Sequence, residues 1–257
     1  MNLTDDETLK FQKGSPVFLE DVCAIYPATL GEIVDIGYSN FSKYLGIVLV
    51  EKPDKIDDSE LKQLLEQLSD FQYLLLLSSL DMETNSLIKE AFKFFTHENI
   101  TISVDPAQII FGPLEEKHLL TEELFLDFQR IIKRMYFIEV EGDEIIINPN
   151  DSVAVKRMKK QMIENRKKLQ KAKAKQAAAE KSDLKFSDLI GSITINECGL
   201  NMQNIWDITY YAFHDQLRRM GWRDQFDINN RAAMAGAKMN QSQLKHWMRS
   251  IASSDKS

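Results

Sequence analysis

Apolar residues recur along this chain with two periods, and the changes of period mark its elements. Phe41, Tyr44, Leu45 and Val48 fall at i, i+3, i+4 and i+7, one face of a helix. Thr29 and Glu32 just before them have the spacing of a capping box, which starts a shorter helix that Gly37 can end. Farther upstream, "FQKGSPVFLEDVCAIYPA" holds apolar Val17, Leu19 and Val22 with Gly14 and Pro16 as punctuation, which predicts a short strand or hairpin. The stretch from Asp57 to Leu80 reads as one helix capped at Asp57 or Ser59, with Leu61, Leu64, Leu65, Leu68 and Phe71 as its stripe. Leu87, Ala91, Phe92 and Phe95 give the next helix. The period then drops to two: Ile100, Ile102 and Val104 alternate, and Ile109 to Phe111 continue an extended segment. Helix returns after Thr121, the expected N-cap of "TEELFLDFQRIIKRMYF", and "FIEVEGDEIIINP" reads as a hairpin about Gly142.

Beyond residue 150 the pattern changes again. No Gly or Pro occurs from Val153 to Asp183, and the stretch is rich in Ala, Lys, Gln and Glu, all strong helix formers. Apolar residues are too sparse after Met162 to keep a heptad seam, so a long exposed helix is expected rather than a coiled coil. "FSDLIGSI" predicts a short helix. The strongest pattern in the chain follows, with Ile205, Ile208, Ala212, Phe213, Leu217 and Met220 on one face and Gly221 as the stop. Two further helices are expected, one capped at Asp227 and one capped at Ser242 with Leu244, Trp247, Met248 and Ile251 as its stripe. The fold class is therefore mostly α. An α+β N-terminal region with short hairpins (1–150) leads into a long exposed linker helix (151–183), and a small C-terminal three-helix domain (184–257) closes the chain.

Charge sharpens that division. Residues 1–150 carry 28 acidic and 12 basic side chains (28 − 12, net −16), and residues 151–257 carry 11 and 20 (net +9). The positive excess is concentrated in the linker, at Lys156, Arg157, Lys159, Lys160, Arg166, Lys167, Lys168, Lys171, Lys173 and Lys175. Such a run could neutralise phosphates. It has no interleaved aromatics for base stacking, and the −16 region would repel DNA. These features argue for a charged spacer, with nucleic-acid binding through 155–183 kept as an alternative and a structural virion or scaffold role as another.

Candidate chemistry is sparse. There is no phosphate-binding glycine loop and no GxSxG or HExxH. His97, His118, His214 and His246 have no metal-ligand spacing, and Cys23 and Cys198 read as free buried thiols. His214 and Asp215 are sequence neighbours, and on a helix such neighbours point apart. No enzyme, metal or cofactor is expected. The acidic start is unlike a signal peptide, and the longest clean apolar run, Tyr73 to Leu77, is far short of the roughly 20 residues of a membrane-spanning helix. A location in the cytoplasm follows as an expectation. The C-terminal region is unusually aromatic. Trp206, Tyr210, Tyr211, Trp222 and Trp247 are more than a small three-helix domain buries well, so they are the candidate partner-binding residues, with at least one of Tyr210 and Tyr211 expected at the surface.

Two stretches carry a resemblance. "AIYPATLGEIVDIGYSNFSKYLGIVLV" resembles the opening of proteins from tail-gene clusters of phages and prophages of Gram-positive bacteria. "NIWDITYYAFHDQLRRMGWRDQFDINNRAAMAGAKM" is similar to the C-terminal part of the same group, through Trp206, Asp207, Tyr210, Phe213, Ala232, Ala233, Ala235, Gly236 and Lys238, with Trp247 beyond. The resemblance implies a tail assembly chaperone working in the host cytoplasm. Such proteins coat the tape measure protein and recruit tail tube subunits. It also implies a long or unsplit form, since both regions lie in one chain. Self-association stays open on this reading.

Overall fold

A computed structural model describes residues 5–19, 21–53, 65, 67–113, 118–138, 157–158, 185–195, 199–238 and 246–248. The acidic start is a helix, α1 (Asp5–Lys13). Asp5, Asp6 and Glu7 occupy its first turn and Lys10 and Lys13 its last, the arrangement the helix dipole favours. Strands β1 (Val17–Leu19) and β2 (Cys23–Ile25) pair antiparallel, with Val17 opposite Ile25. Helix α2 (Leu30–Ile36) has the expected capping box between Thr29 and Glu32, and it ends at Gly37, whose φ of 84° suits glycine. Helix α3 (Tyr38–Val48) buries Phe41 and Val48.

The helix expected over 57–80 starts afresh at Ser69. Residues 54–64 and Leu61 and Leu64 among them lie outside the described residues, but α4 spans Asp70–Leu80 with a capping box of its own between Ser69 and Gln72. The break has a physical cause. The Asp70 carboxylate accepts the Lys52 backbone N–H at 2.9 Å, and the Lys52 ammonium donates to the Leu68 carbonyl at 2.5 Å, so the turn before α4 is occupied by the preceding loop. Helix α5 (Met82–Thr96) is capped by Asp81 and buries Ile88, Ala91, Phe92 and Phe95. The extended segment is a sheet of three strands, β3 (Ile100–Ser103), β4 (Gln108–Phe111) and β5 (His118–Leu120). Ile100 faces Phe111 across β3–β4, and Phe111 faces His118 across β4–β5. The third strand, too short for an alternating signature, was not legible in the sequence. Helix α6 (Glu122–Met135) follows Thr121 and buries Phe125, Phe128, Ile132 and Met135.

These elements share one core dominated by phenylalanine. Phe92 stacks on Phe128 at 5.3 Å, Phe71 meets Phe125 at 5.1 Å, and Phe95 and Phe41 both contact Tyr136 at about the same spacing, 5.5 and 5.4 Å. Offset and edge-to-face contacts of this kind add to what burial alone contributes. Cys23 is a free buried thiol in this core, pushed up to about 12 first by burial and then by Glu98. Cys198 lies outside the described residues.

The hairpin expected about Gly142 also lies outside them. So does nearly all of the basic run, in which Arg157 and Met158 are described as helical and exposed. The chain is next described at α7 (Phe186–Ile195), the expected short helix. A single 3₁₀ turn (Ile205–Asp207) leads to α8, which runs unbroken from Tyr210 to Met234. The stop expected at Gly221 and the new cap at Asp227 are therefore corrected. A glycine inside a helix costs only about 1 kcal/mol against alanine, less than the continuing backbone ladder supplies. The break falls instead after Ala235, at Gly236 with φ of 91°. Of the helix expected from Ser242, residues 246–248 are described and are not helical. Among the described residues no helix is long and apolar enough to cross a membrane.

Candidate partner-binding site

The two stretches that carry the resemblance meet in the fold. Thr29 and Thr209 form an antiparallel bridge. Leu30 N–H donates to the Ile208 carbonyl at 2.9 Å, and Tyr210 N–H donates to the Ala28 carbonyl at 2.8 Å. Thr209 is the hub of this seam. Its hydroxyl donates to the Phe11 carbonyl at 2.8 Å and accepts the Ala212 N–H at 3.0 Å, so one side chain joins α1 to the start of α8. Gly14 turns beneath it at φ of 82°, where a Cβ would come within 3.3 Å of the Thr209 methyl. On the other side Gly31 lets α2 approach the 3₁₀ turn, since a Cβ there would lie 3.1 Å from the Trp206 carbonyl oxygen. The Ala28 N–H also donates to the Tyr136 hydroxyl at 2.9 Å, which ties α6 to the same point.

One turn into α8 the seam becomes polar and buried. Asp215 is 5% exposed. It accepts from the Gln12 amide at 2.9 Å and from Arg219 at 3.0 and 3.1 Å, so its charge is paired where burial would otherwise make it costly. Its neighbour His214 faces elsewhere, 4.2 Å from the Tyr210 ring and 5.9 Å from Phe137. The Arg218 guanidinium sits 4.6 Å above Phe137. Among the described residues, His214 Nε2 and Gln216 Oε1 are buried without hydrogen-bond partners.

The five sequence-predicted anchors separate into four places. Tyr211 lies within the main core at 2% exposure, stacked on Phe137 at 4.5 Å and against Phe11 at 5.3 Å. Tyr210 is wedged between that core and a second one, touching Phe41 and Tyr136, each at 5.5 Å. Burial raises the phenols of both, and for Tyr210 the nearby Tyr38 adds to the effect. The expectation that one of these tyrosines is at the surface is thus corrected. It assumed a helix with one covered face, whereas the first turns of α8 are clasped by both cores, so Tyr210, Tyr211 and Phe213 are all packed. Trp206 lies at the edge of the second core, with its indole N–H on the Met202 carbonyl at 2.9 Å. Trp222 lies in the far half of α8, and Trp247 lies beyond the helix in the segment 246–248 that contacts that half. There Phe226 meets His246 at 5.0 Å, and Trp247 stacks on His246 at 5.6 Å. Of the basic-run residues, Arg157 is described and exposed. Lys156, Lys159, Lys160, Arg166, Lys167, Lys168, Lys171, Lys173 and Lys175 lie outside the described residues.

The second core is small. Leu30, Ile190, Ile193, Ile205 and Phe213 are buried in it, while Phe186, Leu189, Leu200, Trp206 and Leu217 are only partly covered. Apolar residues face solvent on the elements that build it: Val34 on α2 (51% exposed), Tyr38 at the start of α3 (47%), Ile195 at the end of α7 (82%) and Met202 before the 3₁₀ turn (55%). Of these, Tyr38 stacks on Phe186 at 4.7 Å, and the Met202 carbonyl accepts the Trp206 indole N–H. Sequence reasoning missed Val34, Tyr38, Ile195 and Met202. Each lies within a few residues of one that packs inward, so the sequence alone does not show which of them stays at the surface. An apolar surface of this make-up suits an apolar partner. Among the described residues no group of acidic, His and Cys side chains is arranged to hold a metal ion.

Residues 173–252 match a family model, the YomV second domain, a phage-related family. The match takes in α7, the 3₁₀ turn and all of α8, that is, the C-terminal side of the seam. No curated protein and no solved structure matches the chain. The likeness to a phage-related family thus rests on that segment.

Proposed function

We propose that this protein is a non-enzymatic phage tail assembly chaperone, one that binds the tape measure protein and recruits tail tube subunits. The observation that carries the reading is the exposure of apolar Val34, Tyr38, Ile195 and Met202 on the elements of the second core, together with half-covered Trp206 and Phe186. It suits an apolar helix in a groove, read through spaced side-chain anchors. The phage-related match over the same C-terminal segment supports the setting. The acidic excess of residues 1–150 supports it from another side, because net charge keeps a chaperone soluble while an apolar client is loaded.

The test is co-expression of the full chain with the tape measure protein of the same genome. The tape measure protein is expected to stay soluble and to co-purify, and a Val34→Asp/Met202→Asp double variant is expected to lose it while keeping its fold. A tape measure protein that is equally soluble alone would overturn the reading.

A further inference from the structure

We propose that His214 is an acid-operated latch, whose protonation releases α8 from the N-terminal core. This goes beyond the chaperone reading and does not depend on it. The geometry points to it in three ways. His214 sits between the cores, its ring 4.2 Å from Tyr210 and 5.2 Å from Phe213 on its own helix and 5.9 Å from Phe137, which follows α6. The rings it touches join the two cores, since Phe137 stacks on Tyr211 of the main core and Phe213 is buried in the second. Its Nε2 is buried with no hydrogen-bond partner among the described residues, so a proton there would have no acceptor among them.

The charges about this ring oppose a proton. From α8 the ring meets Arg218 one turn on, and the adjacent Asp215 is already committed to Gln12 and Arg219. From the end of α6 it meets apolar Phe137, behind which Lys133 and Arg134 close the helix, with Lys133 turned to Glu51 at 3.4 Å. Helix α7, packed on Tyr210 and Phe213 through Phe186, carries Lys185 and Asp188 at its start, and Asp188 is held by the Lys185 N–H at 2.8 Å. Burial first and Arg218 second lower the imidazole from 6.5 to about 4. The unfolded chain therefore takes up a proton near 6.5 that the folded chain refuses until about 4. Between those values the unfolded state holds more protons, so stability falls as pH falls. Above 6.5 both states are neutral at this residue and the latch is closed.

The experiment is chemical denaturation of the full chain and of His214→Phe at pH 7.5 and pH 5.0. Carboxylates elsewhere act equally in both proteins, so the difference isolates the latch. Each pH unit inside the window should lower the wild-type folded-to-unfolded ratio by up to about tenfold, and His214→Phe should lose less than the wild type by a factor on the order of ten. Equal losses would overturn the proposal. Should His214→Phe fail to fold, NMR titration of the wild-type imidazole decides. A ring that titrates well below 6.5 in the folded chain supports the latch, and one that titrates at the ordinary value removes it.

Discussion

The two halves of α8 are covalently one helix and physically two different objects. From Tyr210 to Arg219 the helix is clasped by both cores, with Tyr211, Phe213 and Asp215 buried. From Gly221 to Met234 no residue is buried, and Ile228 and Met234 face solvent among Arg223, Asp224, Asp227 and Arg231. The first half is held by tertiary packing, the second by its own backbone ladder and by contact with residues 246–248. Amphipathic pattern alone ranks them alike. The difference arises from the seam at Thr209, which the local sequence on either side does not announce.

Substitutions separate the halves by size of effect. Phe213→Ala empties a site with no exposed surface and should cost about 3–5 kcal/mol, measured by denaturant midpoint. The same change at half-covered Phe226 should cost clearly less, and equal costs would dissolve the contrast. Asp215→Ala should cost about 1–3 kcal/mol, because it leaves the Gln12 amide and Arg219 without their acceptor. Two glycine replacements then sharpen the comparison by having opposite signs. Gly31→Ala should destabilise by about 1–3 kcal/mol as its Cβ presses on the Trp206 carbonyl. Gly221→Ala, whose Cβ meets nothing within 4 Å, should stabilise by about 1 kcal/mol. The smallest effect belongs to Ile228→Lys. Thermal unfolding should place it within about 0.5 kcal/mol of the parent.

Much of the fold was legible because its signals are local. The Thr29–Glu32 box, the Gly37 stop, the Phe41–Val48 face and the α7 helix all follow from spacing within one turn or two. What could not be read depends on distant partners. The restart at Ser69 is fixed by Lys52, and the burial of Tyr211 and part-burial of Tyr210 by elements about 70 to 200 residues away in sequence. The candidate site was legible only in its aromatic members. Trp206 was found because tryptophan draws notice, whereas the second core is seen only once Leu30 of α2 shares it with Ile190 and Ile193 of α7.

Hydrogen exchange on the full chain, alone and with the tape measure protein of the same genome, tests the central claim most directly. In the free chain, amides 211–219 should be protected as strongly as those of α6, and amides 224–234 should exchange much faster. Adding the tape measure protein should protect 30–38 and 186–206 and leave 224–234 nearly unchanged. Uniform exchange along α8, or new protection confined to its outer half, would contradict the account.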